Sequence, residues 1–197
     1  MGLFTGREVP NPRPRSCTLM DAVRDDDRAL VRATLAAGED VTQTNAYLRT
    51  PLHKAAYYSG DPGVIAELID RGAIVDARDK GDWTPLHLAT RNGHVGAMRV
   101  LLARGADATV ADAKHGWTAL HVAVVAGNAE GVEALVEAGA DVFARDRSGA
   151  DARTLAEECG MEDAVKVLSR TTRRGEEKGN EGGATANGKG HLEETPG

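Results

Sequence analysis

The sequence lacks most of the features that identify large classes of protein. It has only two cysteines, Cys17 and Cys159, so no disulfide framework is available. Two free thiols favour a reducing compartment, which predicts a cytoplasmic protein with a nuclear location as the alternative. No apolar run is long enough to cross a membrane, and no charged-then-apolar leader opens the chain. The net charge of −6 contrasts with the basic patch of a nucleic-acid-binding domain. We therefore expect no membrane and no nucleic acid among its partners.

Sequence motifs for catalysis are also missing. There is no phosphate-binding GxxxxGK[ST], no GxSxG, no HExxH and no paired CxxC. No nucleophile stands in a pattern that supplies it with a base and an orienting group. We therefore predict a protein that is not an enzyme and that needs no metal and no cofactor.

What the chain has instead is an internal repeat. Three four-residue segments recur at intervals of 34 residues, namely Thr50-Pro51-Leu52-His53, Thr84-Pro85-Leu86-His87 and Thr118-Ala119-Leu120-His121. Four glycines recur at nearly the same interval, with steps of 34, 33 and 34 residues, namely Gly38, Gly72, Gly105 and Gly139. A fixed period of this length is typical of stacked repeats, in which each unit buries its apolar face on its neighbours.

The sequence predicts that each repeat forms a pair of helices. Thr84 can cap a helix, and Pro85 suits the first helical position because its missing N–H would be unpaired there anyway. Asn92-Gly93 ends this first helix, and a second helix carries Met98, Leu101 and Leu102 inward. A glycine then lets the chain leave the second helix through a left-handed residue.

These motifs resemble those of the ankyrin repeat family, whose pattern of TPLHxAA, GH, VxxLL and GAD is nearly intact between Ser16 and Arg170. The resemblance implies an all-α solenoid of five helix–turn–helix units joined by β-hairpin fingers, with the first and last units acting as caps. The ankyrin repeat domain would cover residues 16–170. The repeats would span about 16–45, 46–78, 79–111, 112–145 and 146–170.

The two ends of the chain differ from the repeats in composition. Residues 1–15 contain three prolines, which predict a flexible arm. Residues 171–197 contain seven glycines and a single large apolar residue, which predict a disordered tail.

Two repeats contain an additional residue, and we place the insertions in the inter-helix turn Ser59–Pro62 and in the finger Asp112–Gly116.

The three periodic histidines, His53, His87 and His121, are the most obvious candidates for a metal or catalytic site. Packed helices lie roughly 8–10 Å apart, whereas metal–ligand bonds are about 2 Å long. Histidines at the same position of successive helices are therefore not expected to converge on one ion. The resemblance implies instead that each imidazole hydrogen-bonds the neighbouring turn and ties adjacent repeats together.

The aromatic residues, only 4% of the chain, point to a binding surface. None occupies a position that we expect to face the core, although Trp83 and Trp117 could also pack on an adjacent finger. In ankyrin repeats the partner-contacting positions are the fingers, the residue before TPLH and the two residues after the AA pair. The resemblance thus implies the following contact residues: Tyr47, Arg49, Tyr57, Tyr58, Lys80, Asp82, Trp83, Arg91, Asn92, His115, Trp117 and Val125. Trp, Tyr and Arg are the side chains that most often anchor interfaces.

The sequence thus predicts a non-enzymatic protein–protein interaction module. It would act as an adaptor or as a stoichiometric inhibitor, and would bind one or more proteins through the concave face of repeats two to four. We expect the module to be a monomer. The alternative is a regulatory or targeting subunit of an enzyme complex.

Overall fold

The computed structural model describes residues 18–170, which form a chain of short helices. The predicted flexible arm (1–15) and disordered tail (171–197) lie outside the described residues. None of the described helices has the length and apolar character that crossing a bilayer requires. The helices are α1 (Leu19–Arg24), α2 (Arg28–Ala36), α3 (Pro51–Lys54, continued by a π-helical turn at Ala55–Ser59), α4 (Pro62–Asp70), α5 (Pro85–Arg91), α6 (Val95–Ala103), α7 (Ala119–Val125), α8 (Ala129–Glu137), α9 (Ala152–Glu158) and α10 (162–170).

The repeated Thr-x-Leu-His segment starts the first helix of each central repeat. The backbone N–H of Thr84 donates to Nδ1 of His87 at 3.2 Å, and the Thr84 side chain accepts from the backbone N–H of His87. This reciprocal pair is a capping box in which histidine takes the usual place of Glu or Gln. Because Nδ1 accepts a backbone N–H, the neutral ring carries its proton on Nε2.

The helices stack in two rows around one continuous core. The first helices contact one another in the order α1, α3, α5, α7 and α9, and the second helices in the order α4, α6 and α8. Periodic leucines fill the space between the rows, and all are at most 1% exposed: Leu52, Leu86 and Leu120 from the first helices, and Leu68, Leu101 and Leu135 from the second. This arrangement confirms the predicted all-α solenoid.

The fingers are tight turns. Within residues 18–170 they contain no regular strand, and the one β-bridge joins Arg145 to Asp151. Each finger is closed by a backbone bond across the turn, such as that from Asp79 N to Trp83 O (3.0 Å). Neighbouring fingers are joined by single bonds, for example from Ala113 N to Gly81 O (3.0 Å). The predicted β-hairpins are thus reduced to turns, because each arm is too short to exchange a ladder of hydrogen bonds.

The insertion in repeat two is not in the inter-helix turn, where we expected it. The glycine that ends the first helix is ten residues after the capping threonine in repeat two (Thr50 to Gly60) but nine in repeat three (Thr84 to Gly93). The additional residue therefore lies inside the helix, which widens into the π-helical turn at Ala55–Ser59. The bond from Gly60 N to Ala55 O (2.9 Å) closes this turn. The insertion in repeat four does lie in the finger, where Gly116 N donates to Asp112 O at 3.1 Å.

The last unit differs from the central repeats at the start of its first helix, where Asp151 replaces the capping threonine and accepts from Thr154 N at 2.8 Å. The first unit keeps a threonine, Thr18, at this position of α1, and Asp27 caps α2 by accepting from Leu30 N at 3.0 Å. Arg153 replaces the inward leucine of the central repeats and is exposed. These substitutions fit the predicted capping role, since a terminal unit turns one face to water.

Candidate functional site

A groove lies between the fingers and the first helices of repeats three and four. Its volume is about 520 Å³. Finger residues form one wall, and the ends of α5 and α7 form the other. We call it the finger–helix groove, and its lining residues are Trp83, Arg91, Lys114, His115, Trp117, Val122, Val125 and Ala126.

Trp83 is half-buried and belongs to both the core and the groove. Its ring packs against the edge of the hydrophobic core, and its carbonyl oxygen accepts a hydrogen bond from Nε2 of His53 at 3.0 Å. The guanidinium of Arg91 lies over the indole, with Cζ 5.5 Å from the ring centroid. The indole N–H donates to no acceptor among the described residues. Trp83 therefore offers both an aromatic surface and a free donor.

Trp117 lines the same groove but is held more firmly. Its indole Nε1 donates to Asp146 at 3.1 Å, and the ring of His115 stacks on it with centroids 4.2 Å apart. The Ser148 hydroxyl, together with the Trp117 indole, lowers the pKa of Asp146 to about 2. The carboxylate is thus ionised at neutral pH and fixes the orientation of the indole.

The aspartates at the start of the fingers accept hydrogen bonds from backbone N–H groups. One oxygen of Asp79 accepts from the N–H groups of Gly81 and Trp83, and its other oxygen pairs with Nε of Arg49 at 2.9 Å. Asp112 accepts from Lys114, His115 and Trp117. Burial acts to raise the pKa of Asp112, but these N–H donors outweigh it and lower the pKa. These carboxylates therefore shape the fingers and do not project into the groove.

The aromatic residues of repeat two form a second cluster beside the groove. The rings of Tyr57 and Tyr58 meet edge to face with centroids 4.8 Å apart, and Tyr58 is 51% exposed. Lys54 Nζ lies 5.9 Å from the centroid of Tyr58. In the π-helical turn, the carbonyl oxygen of Tyr57 accepts from Nδ2 of Asn92 at 2.6 Å. This bond ties the widened helix to repeat three.

The structure brings many of the predicted contact residues together. Five of them line the finger–helix groove: Trp83, Arg91, His115, Trp117 and Val125. The remaining predicted residues lie on the finger of repeat two, on its first helix, at the tip of the next finger and at the end of α5: Tyr47, Arg49, Tyr57, Tyr58, Lys80, Asp82 and Asn92.

The expectation that no aromatic side chain faces the core was wrong for two residues. Tyr57 and Trp83 are half-buried and pack against the core, because the ring of Trp83 at the base of a finger and that of Tyr57 in the π-helical turn each cover apolar side chains. Three groove residues, Lys114, Val122 and Ala126, were not among the twelve predicted contact residues, although Lys114 and Ala126 occupy the finger and helix-end positions that the resemblance indicated. Val122 could have been found from the sequence, since it precedes the predicted residue Val125 by one helical turn.

The three periodic histidines occupy structural positions. Nε2 of His53 and of His87 lies 3.0 and 3.1 Å from the carbonyl oxygens of Trp83 and Trp117 in the following finger. Burial lowers the pKa of His53, His87 and His121, so their rings are neutral at pH 7. Across residues 18–170, no three His, Cys, Asp or Glu side chains are grouped closely enough to hold a metal ion.

Comparison with known proteins gives a consistent pattern. The model of three ankyrin repeats matches residues 19–112, and the single ankyrin repeat model matches residues 115–147. The chain is 41% identical over 87 residues to palmitoyltransferase Hip14 of Drosophila melanogaster, a match that covers 44% of this chain and 14% of that protein. It is 32% identical over 94 residues to ankyrin repeat and SOCS box protein 2 of Bos taurus, covering 48% of this chain and 15% of that protein. It is 35% identical over 101 residues to zygote-specific protein 3 of Chlamydomonas reinhardtii, a match that covers 51% of this chain and 27% of that protein. The chain thus spans less than a third of each of these relatives.

Proposed function

Because this chain belongs to the ankyrin repeat family, we propose that it is a non-enzymatic interaction module that binds a partner protein through the finger–helix groove and the adjoining tyrosines of repeat two. Ankyrin repeats bind other proteins, and the family is generally not catalytic. In this chain the module acts as an adaptor or as a stoichiometric inhibitor.

The observation that carries this proposal is the convergence of exposed apolar and aromatic side chains on one rigid face. Val125 is 45% exposed and Tyr58 is 51% exposed, while the backbone beneath them is fixed by the stacked core. A contact surface held in place before binding loses little conformational entropy when the partner docks. Central, exposed aromatic side chains are also the commonest interface anchors.

The test is a matched pair of double variants. Tyr58→Ala with Val125→Ala removes exposed apolar surface at the proposed site, whereas Ile74→Ala with Phe143→Ala removes similar surface elsewhere; those two residues are 58% and 63% exposed. Partners captured by the full chain from a cell extract would be identified by mass spectrometry and titrated against each variant. We expect roughly tenfold or greater weakening for the first pair only, with an unchanged melting temperature. If the partner bound both double variants with equal affinity, the proposed site would be contradicted.

The names of two relatives support the second candidate, a regulatory or targeting subunit of an enzyme complex. One relative is a palmitoyltransferase, and another, 38% identical over 109 residues, is an E3 ubiquitin-protein ligase of Arabidopsis thaliana. In both, the matched segment is a small part of a larger protein. If the captured partner is an enzyme, its turnover should change when the wild-type chain is added but not when the Tyr58→Ala, Val125→Ala variant is added. An inhibitor would lower the turnover on every substrate, whereas a targeting subunit would change only which substrates are used.

The proposal includes a monomeric, cytoplasmic protein whose partners are proteins rather than nucleic acids or membranes. The net charge of −6 and an exposed, unpaired Cys159 support it. Sedimentation of the purified chain and localisation of a tagged copy would test these two points.

A further inference from the structure

The groove is lined by cations, although the chain as a whole is acidic. The net charge is −6, yet the groove lining contains two permanent cations, Arg91 and Lys114, and no carboxylate side chain. The carboxylates of Asp112 and Asp146 are not among the lining residues, but they contact the lining side chains of His115 and Trp117. The charged side chains that line the groove are therefore cations, with these two carboxylates adjacent to its wall.

These cations differ from most arginines of the described chain. Eight arginines have a carboxylate within 4.0 Å: Arg24, Arg28, Arg32, Arg49, Arg78, Arg99, Arg104 and Arg153. Within residues 18–170, Arg91 and Lys114 have no carboxylate within that distance, and the same holds for Lys54 and Lys80 beside the groove. Asp82, at the tip of the same finger as Lys80, lies 3.9 Å from Arg78. Cations without a carboxylate partner thus lie in the groove and in repeat two, and Arg71, Arg145, Arg147 and Arg170 are further examples elsewhere in the described chain.

The indole N–H groups of the two groove tryptophans differ in whether they are already hydrogen-bonded. The indole N–H of Trp117 is bound to Asp146, so this ring serves as a fixed wall. The indole N–H of Trp83 has no acceptor in the described part of the chain. A ligand with carboxylate or carbonyl oxygens could accept from Trp83 and pair with Arg91, whose guanidinium lies over the same ring.

We propose that the finger–helix groove binds an extended, acidic segment of the partner protein. Aspartate or glutamate carboxylates of the segment pair with Arg91 and Lys114, and an apolar side chain lies between Trp83 and Val125. This inference rests on the proposed function and specifies the chemistry of the partner. The apolar floor of Val122, Val125 and Ala126 favours a peptide, which supplies apolar side chains as well as charges.

The first experiment is a selection from a library of random linear peptides displayed against the full chain. We expect Asp and Glu to be enriched among the selected peptides. A selected peptide labelled with fluorescein should bind about threefold or more weakly to Arg91→Gln and to Lys114→Gln, and its affinity should fall as salt is added. The matched control is the double variant Arg99→Gln, Lys166→Gln. It removes two positive charges whose present partners, Glu137 and Asp163, lie away from the groove.

The tryptophans provide a second readout, because both tryptophans of the chain line the groove. An acidic peptide should change their emission. Trp83→Phe removes the free donor and should weaken binding with little loss of stability. Trp117→Phe removes the bond to Asp146 and should lower the melting temperature.

The outcomes separate this inference from the proposed function. Neutral or basic peptides whose binding depends on Tyr58 and Val125 would overturn the acidic-segment proposal and leave the proposed function intact. Peptides that bind equally well to the Tyr58→Ala, Val125→Ala variant would overturn the proposed function itself. A phosphoserine version of the peptide that binds while the glutamate version does not would replace carboxylate with phosphate as the ligand. A selection that yields no peptide would also overturn the acidic-segment proposal.

Discussion

Nε2 of His87 lies 3.1 Å from the carbonyl oxygen of Trp117, so a histidine of repeat three is bound to the finger of repeat four. His53 makes the equivalent bond to Trp83 at 3.0 Å. The series ends at His121, whose buried Nε2 has no hydrogen-bond partner in the described chain. The bond between repeats is therefore present twice and missing at the junction with the last repeat.

The first prediction compares His87→Ala with His121→Ala. Both rings are at most 1% exposed, so the two cavities are similar, and both changes remove the Nδ1 contact with the capping threonine. Only His87→Ala also breaks a bond to the next finger and leaves a carbonyl oxygen unpaired. We expect it to lower the free energy of unfolding by about 1 kcal/mol more than His121→Ala. Urea denaturation of the two variants measures this difference, and equal losses would show that the bond adds no stability.

The second prediction concerns pH. Burial lowers the folded-state pKa of His53, His87 and His121 below the unfolded value of 6.5. Below about pH 7 the unfolded chain therefore binds more protons than the folded chain. Stability should be fully present above pH 6.5 and should be lost as the pH falls from 6.5 through the folded-state pKa values. Each histidine contributes a slope of up to about 1.4 kcal/mol per pH unit.

Denaturation between pH 7.5 and pH 5 measures this slope, and His121→Ala should reduce it by about one histidine's share. The aspartates act at lower pH. The pKa of Asp146 is lowered to about 2, so its contribution is lost only as the pH falls from its ordinary range toward that value. A stability that stays constant from pH 7.5 to 5 would contradict the assignment of neutral, buried histidines.

Much of this fold could be predicted because its signals are local. A threonine at the cap, a proline at the first helical position and a glycine at the end act within a few residues, so Thr84, Pro85 and Gly93 mark α5 from the sequence alone. Leucines at a period of 34 residues then place the core. Five groove residues were also predicted, since the resemblance indicated which positions of the repeat face a partner.

The features that were missed depend on contacts between repeats. An additional residue before Gly60 can lengthen a turn or widen a helix, and nothing in the sequence of repeat two decides between them. The carbonyl oxygen of Tyr57, released in the π-helical turn, is bound by Asn92 and lies 3.3 Å from Nε2 of His94, both from repeat three. The partial burial of Tyr57 and Trp83 is likewise set by neighbouring repeats.

The third prediction tests the close approach at this π-helical turn. Gly60 and Gly93 end equivalent helices with φ of 61° and 74°. A Cβ on Gly60 would lie 2.6 Å from Cβ of His94, whereas a Cβ on Gly93 would meet no atom within 4 Å. Gly93→Ala should therefore cost only the left-handed backbone penalty, about 1–2 kcal/mol. Gly60→Ala should cost about 1–3 kcal/mol more, because His94 must move. Thermal unfolding of both variants measures the difference, and equal losses would show that the His94 ring can move aside freely.

The fourth prediction concerns strain at the finger of repeat two. Leu48 has φ of 59°, a left-handed conformation, and its side chain is 48% exposed, so little packing offsets the cost. Gly116 and Gly149 stand at the equivalent turn positions of repeats four and five, with φ of 72° and 88°. Leu48→Gly relieves a penalty of about 1–2 kcal/mol, of which part is offset because glycine makes the unfolded chain more flexible.

We expect a net gain of about 0.5–1 kcal/mol in the free energy of unfolding for Leu48→Gly. Asp82→Gly is the matched control, because Asp82 occupies the same turn position of repeat three, also at φ of 59°. Aspartate tolerates the left-handed region better than leucine, so the control should gain less. Chemical denaturation of both variants gives the comparison. If Leu48→Gly were instead destabilising, the exposed leucine side chain would be contributing packing that outweighs its backbone strain.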